Sequence, residues 1–157
     1  MRSELSKTFV TVCVAGMHSD TETNIRAIDR ISYSRGRANM AAAFRALRTQ
    51  MFTGRGGDRS YARNIAYFLT DGTNDVHAEM TETEADLTIS NGVRIIPIGI
   101  NMKTRYELDN IAGVQGIDVI EVDDEPALIE NTDMILRPLY EGKYHKKIDI
   151  TTCPLPV

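Results

Sequence analysis

The chain contains 157 residues with a formal net charge of −4, and 42% of the residues are hydrophobic while 25% are charged. This length and composition are typical of one globular domain with a single core and exclude a wholly disordered chain. The acidic balance argues against a nucleic-acid binder, and no window approaches the ~20 apolar residues that membrane insertion requires. Residues 1–16 contain only a short apolar stretch, which does not indicate a signal peptide.

Hydrophobic periodicity and turn residues divide the chain into alternating strands and helices. In chain order they predict a strand at Thr8 to Ala15, a short helix after Asp20, a helix at Ala38 to Met51, a strand at Asn64 to Leu69, a helix at Val76 to Ser90, a strand at Val93 to Ile100, a short helix at Arg105 to Ile111, a strand at Ile117 to Val122 and a helix at Glu125 to Tyr140. Residues 1–140 are therefore expected to form a single domain, and residues 141–157 an irregular tail.

Apolar residues recur at helical spacing in the predicted helices, as in Met40, Phe44, Leu47 and Met51. The first helix carries Ile25, Ile28 and Ile31 at positions spaced to face a core. Strands that alternate with helices pair in parallel and are covered by helices on both faces. The expected fold class is α/β, with three α-β-α layers and a mostly parallel central sheet.

The predicted strand in Ile65-Ala-Tyr-Phe-Leu-Thr-Asp-Gly-Thr73 ends on an aspartate followed at once by a glycine. The carboxyl end of a central strand is where many α/β proteins meet ligands and metals. Asp71 at this position is either a metal ligand or a turn residue that caps the following segment. Its sequence neighbours do not choose between the two.

Short motifs in a fixed order accompany this strand. Gly36-Arg-Ala-Asn-Met-Ala-Ala-Ala43 precedes Phe68-Leu-Thr-Asp-Gly72, and Gly92-Val-Arg-Ile-Ile-Pro-Ile-Gly-Ile100 follows it. From roughly Asn24 to Leu139 the chain resembles the von Willebrand factor type A (VWA) domain, a Rossmann-like fold, and most closely its extracellular-matrix branch, as in type VI collagen and matrilins. The resemblance implies a secreted, non-enzymatic domain for protein binding in cell adhesion, with matrix proteins such as collagen among its partners and further VWA domains as neighbours.

The comparison with this family leaves the N-terminus open. Thr8 to Ala15 fits the second strand of the family better than the first, so the first strand and helix have no counterpart. Three explanations stay open: this strand occupies the position of the missing first strand, the chain is a fragment, or a tandem domain covers the surface that the missing strand and helix would cover. Cys153 compares with the terminal cysteine that often closes such domains.

The resemblance also implies a metal-ion-dependent adhesion site. Its ligands in the family are an Asp-x-Ser-x-Ser loop, a threonine of a Gly-x-Thr-x-Thr loop and the aspartate of Thr-Asp-Gly, which together suit the hard, octahedral shell of Mg²⁺. Asp71 matches the third element, but Ala38 and Met40 replace the hydroxyls of the second, and the first is absent. We therefore expect no cofactor, with Asp71 as the remnant ligand for Mg²⁺ or Mn²⁺ if the site is completed from elsewhere.

Five residues on this rim are candidate binding residues: Arg37, Asp71, Thr73, Asn74 and His77. Arg37 is placed to contact an acidic group of a partner, although an exposed loop arginine is the commoner case. His77 is more typical of a surface histidine than of a catalytic one, because no serine or cysteine nucleophile with a supporting acid is evident.

Three functions are compatible with these patterns. The first is the non-enzymatic matrix or adhesion module, whose partners are proteins. The second is an intracellular assembly scaffold with the same fold, and a further alternative to both is a non-functional fragment of a complete metal-binding domain. The third, a small enzyme or phosphate binder, is disfavoured because Gly54-Arg-Gly-Gly57 precedes a strand instead of following one.

Overall fold

The computed structural model describes residues 21–31, 37–102, 104–116 and 119–140, and only the backbone of residues 21 and 140. The predicted strand at Thr8 to Ala15 and the tail at residues 141–157 lie outside this part of the chain. The helices in it are α1 (Thr21–Asp29), α2 (Met40–Ala46), α3 (Thr81–Ser90), α4 (Tyr106–Gln115), α5 (Glu125–Glu130) and α6 (Thr132–Tyr140). None of them is long and apolar enough to cross a membrane.

The described strands form a three-stranded parallel sheet in the order β1 (Asn64–Thr70), β2 (Val93–Ile100) and β3 (Ile120–Val122). Strands β1 and β2 pair along their whole length, from Asn64 with Val93 to Thr70 with Gly99. Strand β3 joins only the carboxyl end of β2, where Ile98 pairs with Ile120. All three strands therefore end at the same edge of the sheet, which we call the carboxyl edge.

Apolar clusters on the two faces of the sheet confirm the three-layer α/β architecture. On one face, Ala66 and Ile95 pack against side chains of α2, α3 and α4, with Phe44 fully buried at 0% exposure. On the other face, Ile96 and Ile98 pack with partly buried residues of α5 and α6. The near-continuous apolar sequence of β2 follows from this double coverage.

Ion pairs to the buried Glu84 join α3 to α2 and to the helical turn Leu47–Met51 that follows α2. The Glu84 side chain is 5% exposed and accepts hydrogen bonds from Arg45 Nε at 2.8 Å and Arg48 Nη2 at 2.7 Å. Thr88, one turn later on α3, places its hydroxyl 2.9 Å from the carbonyl oxygen of Phe44. Polar contacts thus fix α3 against α2 beside the apolar core.

Several predicted helix boundaries differ from the structure, each for a local reason. The helix predicted at Val76 to Ser90 begins only at Thr81, because His77 has a left-handed backbone with φ 54° and a 3₁₀ turn follows at Ala78–Met80. The helix predicted at Glu125 to Tyr140 is divided at Asn131, whose side chain donates to the carbonyl of Ala127 at 2.8 Å.

The prediction that the first helix faces a core is wrong for the described residues. Ile25 and Ile28 are each 52% exposed and Ile31 is 42% exposed. Helical spacing identifies the apolar side of α1, but it does not show whether another element covers that side.

Candidate functional site at the carboxyl edge

The candidate site is built from the segments that follow the parallel strands. The loop after β1 contains Asp71 to Val76, and the short connection after β2 leads into α4. Residues 37–40, which enter α2, lie against the first of these loops. The fold therefore brings all three segments to one edge, as the parallel topology requires.

Asp71 forms a turn with the residues that follow it. Its Oδ1 accepts a hydrogen bond from the Thr73 backbone N–H at 2.9 Å, and the Thr70 hydroxyl accepts from the Gly72 N–H at 3.1 Å. A carboxylate that accepts from the backbone two residues on is an Asx turn, which Asp favours at strand ends. The Asp71 carboxylate therefore takes part in a turn with Thr73.

Gly72 lets the β1 loop contact the segment after β2. Its φ of +81° lies in the left-handed region, and a Cβ built on it would lie 2.2 Å from the Thr104 carbonyl oxygen and 3.3 Å from Met102 Cε. Only glycine fits both the backbone angle and this approach. The Thr-Asp-Gly sequence is thus explained by turn geometry and packing.

Direct hydrogen bonds join the entry of α2 to the β1 loop. The Ala38 carbonyl accepts from the N–H groups of Asp75 and Val76, each at 3.0 Å, and the Ala38 N–H donates to Asp75 Oδ2 at 3.3 Å. The Arg37 guanidinium donates to the Asp75 carbonyl oxygen. Both backbone groups of Ala38 are therefore engaged in holding the two segments together.

Asn74 contacts the first turns of three helices. Its Oδ1 accepts from the Met40 N–H at 3.3 Å, and its Nδ2 lies 2.7 Å from Thr81 Oγ1 and 3.0 and 3.1 Å from the two carboxylate oxygens of Glu107. Met40 belongs to α2, Thr81 to α3 and Glu107 to α4.

Four of the five sequence-predicted site residues belong to the β1 loop or bond to it, and the fifth lies at its margin. Arg37, Asp71, Thr73 and Asn74 all bond within the β1 loop or onto it. His77 lies further along, with its Nδ1 3.5 Å from Glu79 Oε1 and its side chain exposed.

Sequence reasoning missed Thr81 and Glu107, which contact Asn74. Glu107 could have been found from its place in the first turn of the helix after β2, because a parallel sheet puts that turn at the carboxyl edge. Thr81 carried no such signal, because the preceding helix boundary was predicted five residues too early.

Two positions at this edge lack the side-chain oxygens that the family site supplies there. Ala38 and Met40 carry no side-chain oxygen, and among the described residues no group of three or more His, Cys, Asp or Glu side chains could hold a metal. Mg²⁺ requires near-octahedral oxygen ligands, usually hydroxyls, carboxylates and waters. Asp71 as a remnant ligand stays a prediction.

Comparisons with known proteins give a consistent picture of the fold. Two solved structures of proximal thread matrix protein 1 from the mussel byssus are similar to this chain. The one with a zinc-occupied metal-ion-dependent adhesion site has a TM-score of 0.66 at 22% identity. The other has a TM-score of 0.65 at 23% identity. Each alignment covers 73% of this chain, which spans less than a third of the mussel protein (29% and 30%). At this identity the likeness shows the fold alone.

Comparison with curated proteins gives no match. The family model for the von Willebrand factor type A domain, however, matches residues 4–133. Domains of this family generally mediate protein–protein interactions and are generally not enzymes. Because the match covers most of the sequence, the chain belongs to the von Willebrand factor type A domain family.

Proposed function

We propose that this chain is a non-enzymatic protein-binding module of the extracellular-matrix or cell-adhesion type, secreted from the cell. Membership of the VWA family supports the general role in protein interaction. The fold similarity to a matrix protein of the mussel byssus supports the matrix setting. Residues 1–140 form the binding domain in this proposal, and residues 141–157 are a tail outside it.

The proposed binding surface is the carboxyl edge, with Arg37, Asp71, Thr73, Asn74 and His77 as its binding residues. The observation that carries this choice is the set of direct hydrogen bonds between residues 37–40 and the β1 loop. A surface whose segments are joined by hydrogen bonds is already formed before a partner binds, which lowers the entropic cost of association. These bonds also require no ion, so we propose that binding is metal-independent.

The proposed partner is a protein of the matrix, such as a collagen, or a neighbouring VWA domain. Nucleic acid is disfavoured by the net charge of −4. The exposed Tyr106, at 71% exposure in the first turn of α4, lies beside Glu107 on the same edge. Tyrosine and arginine are enriched among residues that dominate binding energies, so Tyr106 and Arg37 are the first candidates for such a role.

The experiment that tests this function measures binding of the chain to immobilised fibrillar and microfibrillar collagens by surface plasmon resonance. Each titration is run once with EDTA and once with Mg²⁺. We expect saturable binding of equal affinity in both buffers, and about tenfold weaker binding after Arg37→Ala, since interface arginines often contribute more than 1 kcal/mol. Asp86→Ala, an exposed change within α3, is the matched control and is expected to bind like the native chain.

Two results would contradict the proposal at different points. Binding that needs Mg²⁺ and disappears in Asp71→Ala would show a functional ion site and refute metal independence. Absence of binding to every matrix protein tested would refute the matrix role. Calorimetric titration with Mg²⁺ and Mn²⁺ supplements this test, and we expect no saturable heat.

A further inference from the structure

The side chain of Asn74 is the point at which the β1 loop meets three helices. Through its single amide group it contacts the Met40 N–H of α2, the Thr81 hydroxyl of α3 and the Glu107 carboxylate of α4. Among the bonds described for the carboxyl edge, those of Asp75 tie the loop to residues 37–38 only. Asn74 reaches α4 directly, through the carboxylate of Glu107.

The partners of Asn74 fix the orientation of its amide. The Met40 N–H can only donate and the Glu107 carboxylate can only accept, so Oδ1 must face the first and Nδ2 the second. The reversed orientation would place two donors against each other and an oxygen against the carboxylate. Nδ2 carries two protons. One is directed at the Thr81 hydroxyl, and the two Glu107 oxygens share the other.

Neither aspartate nor alanine at position 74 would reproduce this set of contacts. An aspartate at this position would set a second carboxylate about 3 Å from that of Glu107, and like charges at that distance repel. Alanine would leave the Met40 N–H, in the first turn of α2, without this acceptor. Helix-start N–H groups have no partner within the helix, so such an acceptor matters most there.

We infer that Asn74 is a positioning residue that sets the relative placement of the first turns of α2, α3 and α4 and thereby the shape of the carboxyl-edge surface. The inference rests on the proposed function only in treating that edge as the binding surface. Binding of a partner to the β1 loop is then linked to α4 through the amide of Asn74.

The test compares amide hydrogen exchange, followed by NMR, in the native chain and three variants without any ligand. Asn74→Ala removes the whole amide, and Asn74→Asp replaces it with a carboxylate facing Glu107. The double variant Asn74→Asp/Glu107→Gln restores an amide–carboxylate pair with the two groups exchanged. Asn91→Ala is the matched control, because it removes an asparagine amide that donates to the Leu87 carbonyl at 3.0 Å on the far end of α3.

We expect exchange of the Met40 amide to be about tenfold faster in Asn74→Ala, as for loss of one partly buried hydrogen bond. We also expect it to be faster in Asn74→Asp, because repulsion from Glu107 displaces the new carboxylate from the Met40 N–H. The double variant is expected to return it to within a few fold of the native rate, and Asn91→Ala to leave it unchanged. Amides of the central strand, such as Ile95, are expected to exchange as in the native chain. An unchanged Met40 rate in Asn74→Ala, no recovery in the double variant, or equal acceleration at Ile95 would each overturn the inference.

The collagen-binding assay separates this inference from the proposed function. If the native chain binds, Asn74→Ala is expected to bind about tenfold more weakly, chiefly through faster dissociation. Unchanged affinity in a variant with a faster Met40 amide would refute the role of Asn74 in shaping the surface while the proposed function stands. If the native chain binds none of the matrix proteins, the proposed function fails, and the exchange experiment alone decides the positioning role.

Discussion

Replacing Glu84 with glutamine is expected to lower the free energy of unfolding by about 2–3 kcal/mol at neutral pH. The Glu84 side chain is 5% exposed and accepts hydrogen bonds from Arg45 and Arg48. Removing one partner of a buried ion pair costs about 3–5 kcal/mol, because it leaves the other charge without compensation. The lower figure applies here because glutamine keeps one acceptor oxygen and because the Arg45 side chain is 55% exposed to solvent.

The same carboxylate gives the stability of the chain a defined pH dependence. Hydrogen bonds from Arg45, and secondarily from Arg48, hold the pKa of Glu84 below its ordinary value, while burial acts in the opposite direction. A carboxyl group whose pKa is lower in the folded state contributes stability that is complete above its unfolded pKa. That contribution is lost as the pH falls through the folded pKa, so acidification should destabilise the native chain more than Glu84→Gln.

Urea unfolding at a series of pH values between 7 and about 3 tests both statements, with Glu82→Gln, an exposed change on the same helix, as the matched control. We expect the control to follow the native curve and the Glu84→Gln curve to lie below it at pH 7 and to converge with it in acid. A difference below about 0.5 kcal/mol at pH 7, the range of ordinary surface substitutions, would refute the energetic reasoning. Parallel curves across the whole pH range would refute the linkage to Glu84.

Two further predictions concern packing. Gly72 and Gly92 have nearly the same backbone, with φ of +81° and +82°, but of these two only Gly72 has a backbone atom, the Thr104 carbonyl oxygen, where a new Cβ would lie. Thermal unfolding should show that Gly92→Ala lowers the unfolding free energy by about 1 kcal/mol and that Gly72→Ala lowers it clearly more. Equal losses would mean that the β1 loop and the segment after β2 do not pack as described. Phe44→Ala, at a side chain with 0% exposure, should reduce the unfolding free energy by about 3–5 kcal/mol in urea, and a loss below about 1 kcal/mol would contradict its place in the core.

The parts of the fold that sequence could predict are those with a strong local signal. The apolar run of β2 and the helical spacing of Met40, Phe44 and Leu47 depend only on neighbouring residues, and the structure confirms both. The Thr-Asp-Gly turn is equally local, since Asp71 bonds to the backbone two residues later. Helix starts were less predictable, because the left-handed backbone of His77 has no sequence signature of its own.

The contacts that organise the candidate site could not be predicted from local patterns. Asn74 bonds to Met40 and Glu107, which lie 34 and 33 residues away in the chain. Parallel strand order predicts that these segments meet at one edge, but not which side chains reach each other there. The prediction that Ile25 and Ile28 face a core fails for the same reason. Periodicity describes one helix, whereas burial depends on the elements around it.

The chemistry of residues 37–40 explains how the carboxyl edge tolerates the absence of hydroxyl groups at positions 38 and 40. The β1 loop contacts Ala38 through its backbone N–H and carbonyl, and Met40 through its backbone N–H. Backbone groups are present whatever the side chain, so a threonine at either position is not needed to join the two segments. The acceptors for the N–H groups of Ala38 and Met40 are the side chains of Asp75 and Asn74. Among side chains, those of the β1 loop therefore join the two segments, and those of residues 38 and 40 do not.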